Sequence, residues 1–273
     1  MATNTLLIGL PGSGKTYALA EVIEAGHDLF VIFTEPGGED SILEAIQERG
    51  LDGSKFHYTY VPAVTASWTS LMKAATDVNK LDQKALQSAK PIRTDYGQLI
   101  DLLSRCHNFT DQNGEEFGDI STWDESRFLA IDGLSGLSRM ALDLVCGPKV
   151  IKTIADWGMA MNQLETILTK FTHDIPCHFC LIGHLELERD EVQGKIEKMP
   201  STLGKKLPAQ VGKYFSDVIL AEKKGDKYTW STAATDCSTK SRNLPDKVDL
   251  APSFKFLIES WAKKRPENQT QSS

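Results

Sequence analysis

The sequence has no apolar run long enough to cross a bilayer, and its N-terminus lacks the basic region, apolar core and small-residue cleavage site of a secretory signal. Positive charge is also scarce, because 30 Lys and Arg face 37 Asp and Glu, for a formal net charge of -7. These absences argue against a membrane partner and against a positively charged coat for indiscriminate nucleic-acid binding, but not against a local basic groove. We expect a cytoplasmic protein.

Cysteine is sparse and shows no disulfide framework. Five cysteines, an odd number without regular spacing, indicate free thiols in a reducing compartment. Cys177 and Cys180 form a CxxC pair, but they lie in an apolar run that reads as a buried strand. Residues three apart on a strand point to opposite faces, so we expect these two thiols to pack in the core rather than to share a metal.

The remaining composition, 41% hydrophobic and 25% charged, is that of an ordinary globular protein. Short apolar runs typical of buried strands alternate with helical patterns, which predicts an α/β fold with a mostly parallel sheet flanked by helices on both faces. We predict one domain over residues 1–262. The predicted strands are 5–8, 29–33, 57–61, 128–131, 178–182 and 218–220, and the predicted helices are 16–24, 41–48, 67–75, 96–107 and 152–172.

Three segments interrupt this alternation. Residues 64–124 hold two helical patterns and a polar loop, and we interpret them as an elaboration of the same domain. Residues 186–213 show no sustained apolar period, so we expect a long, partly mobile loop there. Residues 263–273 are polar, and we expect a disordered tail.

The motif GLPGSGKT, Gly9 to Thr16, lies between the first strand and the first helix. Glycines let successive backbone N–H groups turn inward toward a phosphate, and the helix that follows directs its positive dipole end to the same place. In this arrangement Lys15 reaches the β- and γ-phosphates and Thr16 binds Mg²⁺. The motif therefore predicts a site for ATP with Mg²⁺. The predicted contacts are Gly9, Pro11, Gly12, Ser13, Gly14, Lys15, Thr16 and Tyr17.

Polar residues at three other strand ends complete the prediction. Asp132 in LAIDGLS follows an apolar strand and would hold a water of the Mg²⁺ shell. Glu35 ends the second strand and would activate the attacking water, although Glu39 and Asp40 lie close enough to compete. We predict that three neighbouring strands deliver Lys15, Glu35 and Asp132 to one edge of the sheet. His184, at the end of a further strand, would contact the γ-phosphate and report its loss.

The series GLPGSGKT, FTE, LAIDGLS, LIGH and STKSRNLP resembles the RecA-type P-loop NTPase core over residues 5–245. It resembles most closely the phage-encoded, small RecA-like nucleotide-binding proteins implicated in single-strand annealing and recombination. This resemblance implies that the carboxylate ending the second strand, Glu35, is the catalytic base, and that the strand-end sensor is His184. It also implies hydrolysis of ATP in the host cytoplasm, stimulated by DNA.

The resemblance further implies a Lys-x-Arg finger, matched by Lys240 and Arg242, that reaches the γ-phosphate of a neighbouring subunit in a ring or filament. Cations at i and i+2 of a strand point the same way, which suits stabilisation of a charged transition state. The N-terminal polymerisation segment of RecA filaments has no recognisable match in this chain. A single-strand binding protein is a further expected partner.

The predicted loop carries a concentration of positive charge. Residues 194–213 contain five lysines against one glutamate. The RecA-type resemblance puts a DNA-binding loop after the sensor, and single-strand binding needs cations along the backbone track. Only Tyr214 and Phe215 offer stacking surfaces there. We expect single-stranded DNA to contact Lys195, Lys198, Lys205, Lys206 and Lys213.

Three other functions share the phosphate loop. A small-molecule kinase would need an acceptor metabolite and usually closes an Arg-rich lid, whereas the late segment here is rich in Lys. A helicase loader, or a motor for replication or packaging, shares every predicted site residue. A nucleotide-gated scaffold would bind ATP without turnover.

Overall fold

A seven-stranded sheet forms the centre of the computed structural model, which describes residues 2–35, 37–61, 67–80, 96–149, 151–189 and 196–264. Its strand order is β11-β10-β1-β7-β6-β2-β3, and every pairing is parallel except that of β11 with β10. The strands are β1 (Asn4–Gly9), β2 (Asp28–Phe33), β3 (Phe56–Tyr60), β4 (Phe109–Thr110), β5 (Glu116–Gly118), β6 (Arg127–Asp132), β7 (His178–Gly183), β8 (Leu185–Arg189), β9 (Ile196–Pro200), β10 (Asp217–Lys224) and β11 (Lys227–Ser231).

Helices cover both faces of this sheet, and the predicted fold class is confirmed. One face packs against α1 to α3 and α9, and the other against α5, α6 and α7. The helices are α1 (Lys15–Ala18), α2 (Ala20–Glu24), α3 (Gly38–Arg49), α4 (Trp68–Lys80), α5 (Gln98–His107), α6 (Leu134–Cys146), α7 (Ile154–His173), α8 (Leu207–Gln210) and α9 (Phe254–Lys263). Within the described residues, no helix combines the length and apolar character needed to cross a bilayer.

Alternate residues of each central strand enter opposite halves of the core. Leu6 and Ile8 of β1 pack with α6, whereas Leu7 packs with α1 and α2. The same alternation separates Cys177 from Cys180, which are buried, unbridged and on opposite faces of the sheet. The prediction that these thiols cannot share a metal is therefore confirmed.

The prediction of a long loop at 186–213 is wrong for the residues that the structure describes. Strands β8 and β9 form an antiparallel hairpin, and α8 and a 3-10 turn (Val211–Tyr214) follow it. Leu185 and Leu187 alternate with Glu186 and Glu188, which is a strand pattern that the sequence reasoning missed, whereas Ile196–Pro200 does not alternate regularly. Residues 190–195, which include Lys195, and residues 265–273 of the predicted tail lie outside the described residues.

The sequence-based prediction also missed α6, which follows β6 directly, and the β10–β11 hairpin. Within 64–124, α5 and the segment around Phe109 and Trp123 pack into the same core cluster as β1 and β6. Residues 62–66 and 81–95 of that region lie outside the described residues.

Candidate functional site

The carboxyl ends of the parallel strands place the predicted residues along one edge of the sheet. Gly9 ends β1, Asp132 ends β6 beside Phe33 of β2, and His184 follows β7. The strands β1, β6 and β2 are not all neighbours as predicted, because β7 lies between β1 and β6. In the order of the strands, His184 therefore lies between the phosphate loop, which follows β1, and Asp132, which ends β6.

The loop from Leu10 to Gly14 has the curled backbone that its glycines permit. Gly12 and Gly14 have φ values of 74° and 80°, in the left-handed region that favours glycine. A Cβ on Gly9 would lie 2.4 Å from the carbonyl oxygen of Ala221, so the start of the loop also needs glycine because β10 runs close beside it. The helix that begins at Lys15 points its N-terminus into this cradle.

Lys15 lies inside the curl of the loop. Its Nζ donates hydrogen bonds to the carbonyl oxygens of Gly9 and Leu10, both at 2.9 Å, and to Ser13 Oγ at 3.3 Å. Burial lowers the pKa of Lys15 to about 8, while the nearby Asp132 carboxylate acts to raise it. The ammonium is thus held at the position where phosphate oxygens would replace carbonyl partners.

The Thr16 hydroxyl on α1 and the Asp132 carboxylate at the end of β6 are in direct contact. Thr16 Oγ1 donates a hydrogen bond of 2.7 Å to Asp132 Oδ2. Burial raises the pKa of Asp132, whereas the Thr16 hydrogen bond and the Lys15 charge act to lower it. A hydroxyl beside a carboxylate is the hard oxygen set that Mg²⁺ prefers, so these residues fit the ion that the phosphate loop implies.

Glu35 lies two residues after the end of β2 and is exposed. Thr34 anchors this strand end, because its backbone N–H donates to Asp132 O at 3.0 Å and its Oγ1 donates to the same oxygen at 3.0 Å. The Glu35 charge is one of the influences that raise the pKa of Asp132, after burial, which is the largest. The Glu35 carboxylate is therefore close enough to Asp132 for the two negative charges to interact.

The competing carboxylates differ from Glu35 in their surroundings. Glu39 lies in the first turn of α3, and its Oε2 is buried. Burial and then Glu39 raise the pKa of Tyr60, so the Glu39 carboxylate lies beside that phenol at the end of β3. Asp40 is exposed on α3. Glu39 is thus engaged at the outer strand, away from the position between β1 and β6.

His184 carries an unsatisfied polar atom. Its Nδ1 is buried, and no residue in the described part of the chain offers it a hydrogen-bond partner. The side chain lines a cavity of about 780 Å³ together with the phosphate loop and Asp132. A buried, unpartnered imidazole nitrogen at this point fits a ligand with hydrogen-bonding oxygens.

The sequence reasoning missed eight residues that line this cavity. Tyr228 of β11 and Pro252 are two of them, and the other six lie on α1 to α3: Ala18, Glu21, Ser41, Glu44, Glu48 and Arg49. The Tyr228 ring packs on the phosphate loop so closely that a Cβ on Gly14 would lie 2.8 Å from its Cδ1. The available signal was the alternation of the aromatic residues Tyr228 and Trp230 with polar residues in Lys227–Ser231, because this period of two indicates a strand. Tyr228 and Pro252 lie on the β10–β11 side of the loop, opposite Asp132 and His184.

Lys240 and Arg242 lie near the amino ends of the parallel strands, whereas the phosphate loop lies at their carboxyl ends. Lys240 pairs with Val218, three residues before the Ala221 that pairs with Gly9, or about 10 Å along β10. Burial and then the Arg242 charge lower the pKa of Lys240, so the two cations are close together. Neither cation is among the described residues that line the cavity at the phosphate loop of their own chain. After Lys240 the chain bends, so the prediction that both cations lie on one strand is wrong.

The lysines predicted to contact DNA fall into different environments. Lys198 Nζ lies 2.6 Å from Glu222 Oε1 and 2.8 Å from Asp236 Oδ2. Burial alone would lower the pKa of Lys198, but hydrogen bonds to these two carboxylates outweigh it and raise the pKa. Lys213 Nζ lies 3.6 Å from Glu165 Oε1. Lys205 and Lys206 are exposed, and neither forms an ion pair with any residue that the structure describes.

The hairpin also lowers the local excess of positive charge, because β9 pairs with the acidic strand β8. Glu188 stands directly opposite Glu197, and Glu186 opposite Met199. Counted over both strands and the segment that follows, residues 186–213 contain six cations against five acids. The lysine-rich count over 194–213 alone therefore overstates the positive field of this surface.

The chain was compared with models of known protein families. The model of a family described as an AAA domain matches residues 1–243, which include every element that lines the cavity except the segment at Pro252. A comparison with curated proteins finds no match.

Proposed function

The chain belongs to the AAA domain family, and from this premise we propose that it binds ATP with Mg²⁺ and hydrolyses it by in-line attack of water on the γ-phosphate. One observation carries the proposal. The hydrogen bond from Thr16 to Asp132 joins the phosphate loop to the end of β6, and the charges of His184 and Glu35, which follow the neighbouring strands β7 and β2, both act on the Asp132 carboxylate. The residues that we propose to bind the phosphates, the Mg²⁺ ion and the attacking water thus come from adjacent segments of the fold.

The arrangement of the cavity supports one direction for the substrate. Asp132 and His184 lie on the β6–β7 side of the loop, so the γ-phosphate belongs there. The adenine base of ATP then extends toward β10 and β11, where the exposed ring of Tyr228 provides an aromatic surface. Backbone N–H groups of the loop and the Lys15 ammonium bind the phosphate oxygens between these ends.

In this mechanism each residue has a separate role. Lys15 neutralises charge that develops on the phosphate oxygens, and Glu35 accepts a proton from the attacking water at its carboxylate. Thr16 and Asp132 would hold Mg²⁺, which when bound neutralises further phosphate charge. His184 donates a hydrogen bond toward the γ-phosphate from the nitrogen that lacks a protein partner. We further propose that Lys240 and Arg242 of one subunit complete the site of the next subunit in a homo-oligomer.

The test compares three variants for ATP turnover in the absence of an acceptor metabolite. Glu35→Gln should lower turnover by about 10² to 10⁴-fold while keeping ATP affinity, because only the proton acceptor is lost. Lys15→Ala should weaken ATP binding itself. Glu39→Gln is the matched control, since its carboxylate lies beside Tyr60 and should be dispensable for turnover. Turnover by Glu35→Gln equal to that of the unaltered protein would disprove the assigned base.

We also propose that single-stranded DNA binds beyond His184, in strand annealing or recombination. The exposed Lys205 and Lys206 support this proposal, because their charge is not neutralised by described carboxylates. The double variant Lys205→Ala, Lys206→Ala should weaken binding of a fluorescent single-stranded oligonucleotide. It should also reduce the salt dependence of log K by about 1.4, or 0.7 for each lost phosphate contact. Equal affinity and an equal salt slope would remove these lysines from the DNA surface.

A further inference from the structure

Lys198 joins three segments that are distant in sequence. It lies on β9, its ammonium contacts Glu222 at the end of β10, and the same ammonium contacts Asp236 in the segment that leads to Lys240. The Lys198 side chain is 23% exposed, as is that of Glu222. An ammonium held between two carboxylates has little remaining attraction for a phosphate backbone.

The backbone reinforces this junction. Lys198 N donates a hydrogen bond of 2.7 Å to Asp236 O, and Lys198 forms a parallel bridge with Cys237. The segment 236–240 is therefore attached to the hairpin at its first residues. At its other end Lys240 exchanges backbone hydrogen bonds with Val218, at 2.7 and 3.1 Å. The segment thus runs from the hairpin to the cation pair at the opposite edge of the sheet.

The hairpin begins at the candidate site. Its first strand follows His184 directly, and its second strand ends where Ser201 N donates to His184 O at 2.8 Å. A cavity of about 540 Å³ lies between β9, α8 and the segment 235–240, and both Lys198 and Lys240 line it. The segment is therefore not packed continuously against α8, and its contacts at Lys198 and Cys237 hold it to the hairpin.

We propose that Lys198 is a positioning residue, which holds the segment carrying Lys240 and Arg242 in register with the hairpin that follows His184. This inference rests on the proposed function, in which the two cations complete a neighbouring site. Lys198 acts on turnover through that segment and does not contact nucleotide or DNA. Its loss leaves Asp236 and Glu222 without the ammonium between them, although Glu222 keeps Lys224 at 3.5 Å.

The test uses Lys198→Met, which keeps the length of the side chain and removes its charge. Turnover measured over a range of protein concentrations should fall by about 10- to 100-fold, the cost of misplacing a reacting group by about 1 Å. ATP affinity and single-stranded DNA affinity should stay within about twofold. Lys198→Arg should restore most of the turnover, because a guanidinium can contact both carboxylates. Lys170→Met is the matched control, because it removes an exposed lysine of α7 that forms an ion pair with Asp174, away from both proposed sites.

A double variant separates positioning from a general loss of stability. If Lys198 acts through the cation pair, Lys198→Met combined with Arg242→Ala should be no slower than Arg242→Ala alone. The proposal is wrong if the two substitutions together lower turnover by the product of their separate effects. It is also wrong if Lys198→Met leaves turnover unchanged or lowers DNA affinity.

A second readout does not depend on turnover. Backbone amide exchange in peptides covering residues 235–243 should accelerate in Lys198→Met and not in Lys170→Met. Unchanged exchange there would refute the tether even if the ATPase is established. Absence of turnover in the unaltered protein, with accelerated exchange in Lys198→Met, would instead refute the proposed function and leave the tether standing.

Discussion

Asp217 offers a sharp test of how the Arg242 region is held. Its side chain is fully buried at the start of β10, at the edge of the sheet opposite the phosphate loop. Its Oδ1 accepts hydrogen bonds from Arg242 N at 2.9 Å, from Asn243 N at 3.1 Å and from the Ser241 hydroxyl. Its Oδ2 accepts from Asn243 Nδ2 at 2.7 Å and from the Ser216 hydroxyl at 2.7 Å.

We therefore expect Asp217→Ala to be strongly destabilising. The substitution removes the acceptor of Asn243 Nδ2 and of the backbone N–H of Arg242, whereas Asn243 N keeps the Ser241 hydroxyl at 3.1 Å. Each buried unsatisfied donor costs about 1–3 kcal/mol, and partial relaxation brings the total for two donors to about 2–4 kcal/mol. In a domain of this size that loss lowers Tm by about 4–16 °C. Asp217→Asn, which keeps one carbonyl acceptor, should lose less than half as much.

Thermal unfolding followed by circular dichroism measures this effect, with Asp246→Ala, an exposed carboxylate of the same region, as control. Nucleotide affinity should stay within about twofold in Asp217→Ala below its Tm, because Asp217 pairs with Thr5, four residues before Gly9. A Tm within 2 °C of the unaltered protein would refute the calculation. A selective loss of nucleotide affinity would refute the separation of the two edges.

Two further predictions concern the strand end at Thr34 and the buried thiols. A Cβ on Gly136 would lie 2.2 Å from Thr34 Oγ1, so Gly136→Ala should displace the end of β2 and lower ATP turnover at least tenfold, whereas Gly158→Ala, which meets nothing within 4 Å, should leave turnover unchanged. Equal turnover in both variants would argue against strict placement of that strand end. Burial raises the pKa of the Cys177 thiol to about 12, above its ordinary value of 9.0. Between these values the folded state binds the proton more tightly than the unfolded state, so stability should fall by about 1.4 kcal/mol per pH unit for this thiol as pH rises from 9 to 12. Urea unfolding at pH 8, 9 and 10 measures it, and a slope that is unchanged in Cys177→Ala would contradict the assignment.

The phosphate loop and the buried strands could be predicted from the sequence because their determinants are contiguous. Gly12, Gly14 and Lys15 act on their own backbone and on the first turn of α1, and the continuous apolar runs of β1, β2, β6 and β7 indicate strands buried on both faces. The parallel arrangement then requires that residues at carboxyl ends, such as Asp132 and Glu35, share an edge.

Tertiary structure decided which of these ends are neighbours and which charges remain available. The order of the strands depends on packing between segments far apart in the chain, and it places His184 between the phosphate loop and Asp132. Pairing of β8 with β9 brings glutamates next to the lysine-rich segment, and Lys198 forms ion pairs with Glu222 and Asp236. A lysine in a sequence carries the same charge wherever it lies, but its capacity to bind DNA depends on which carboxylates the fold brings within about 3 Å of it.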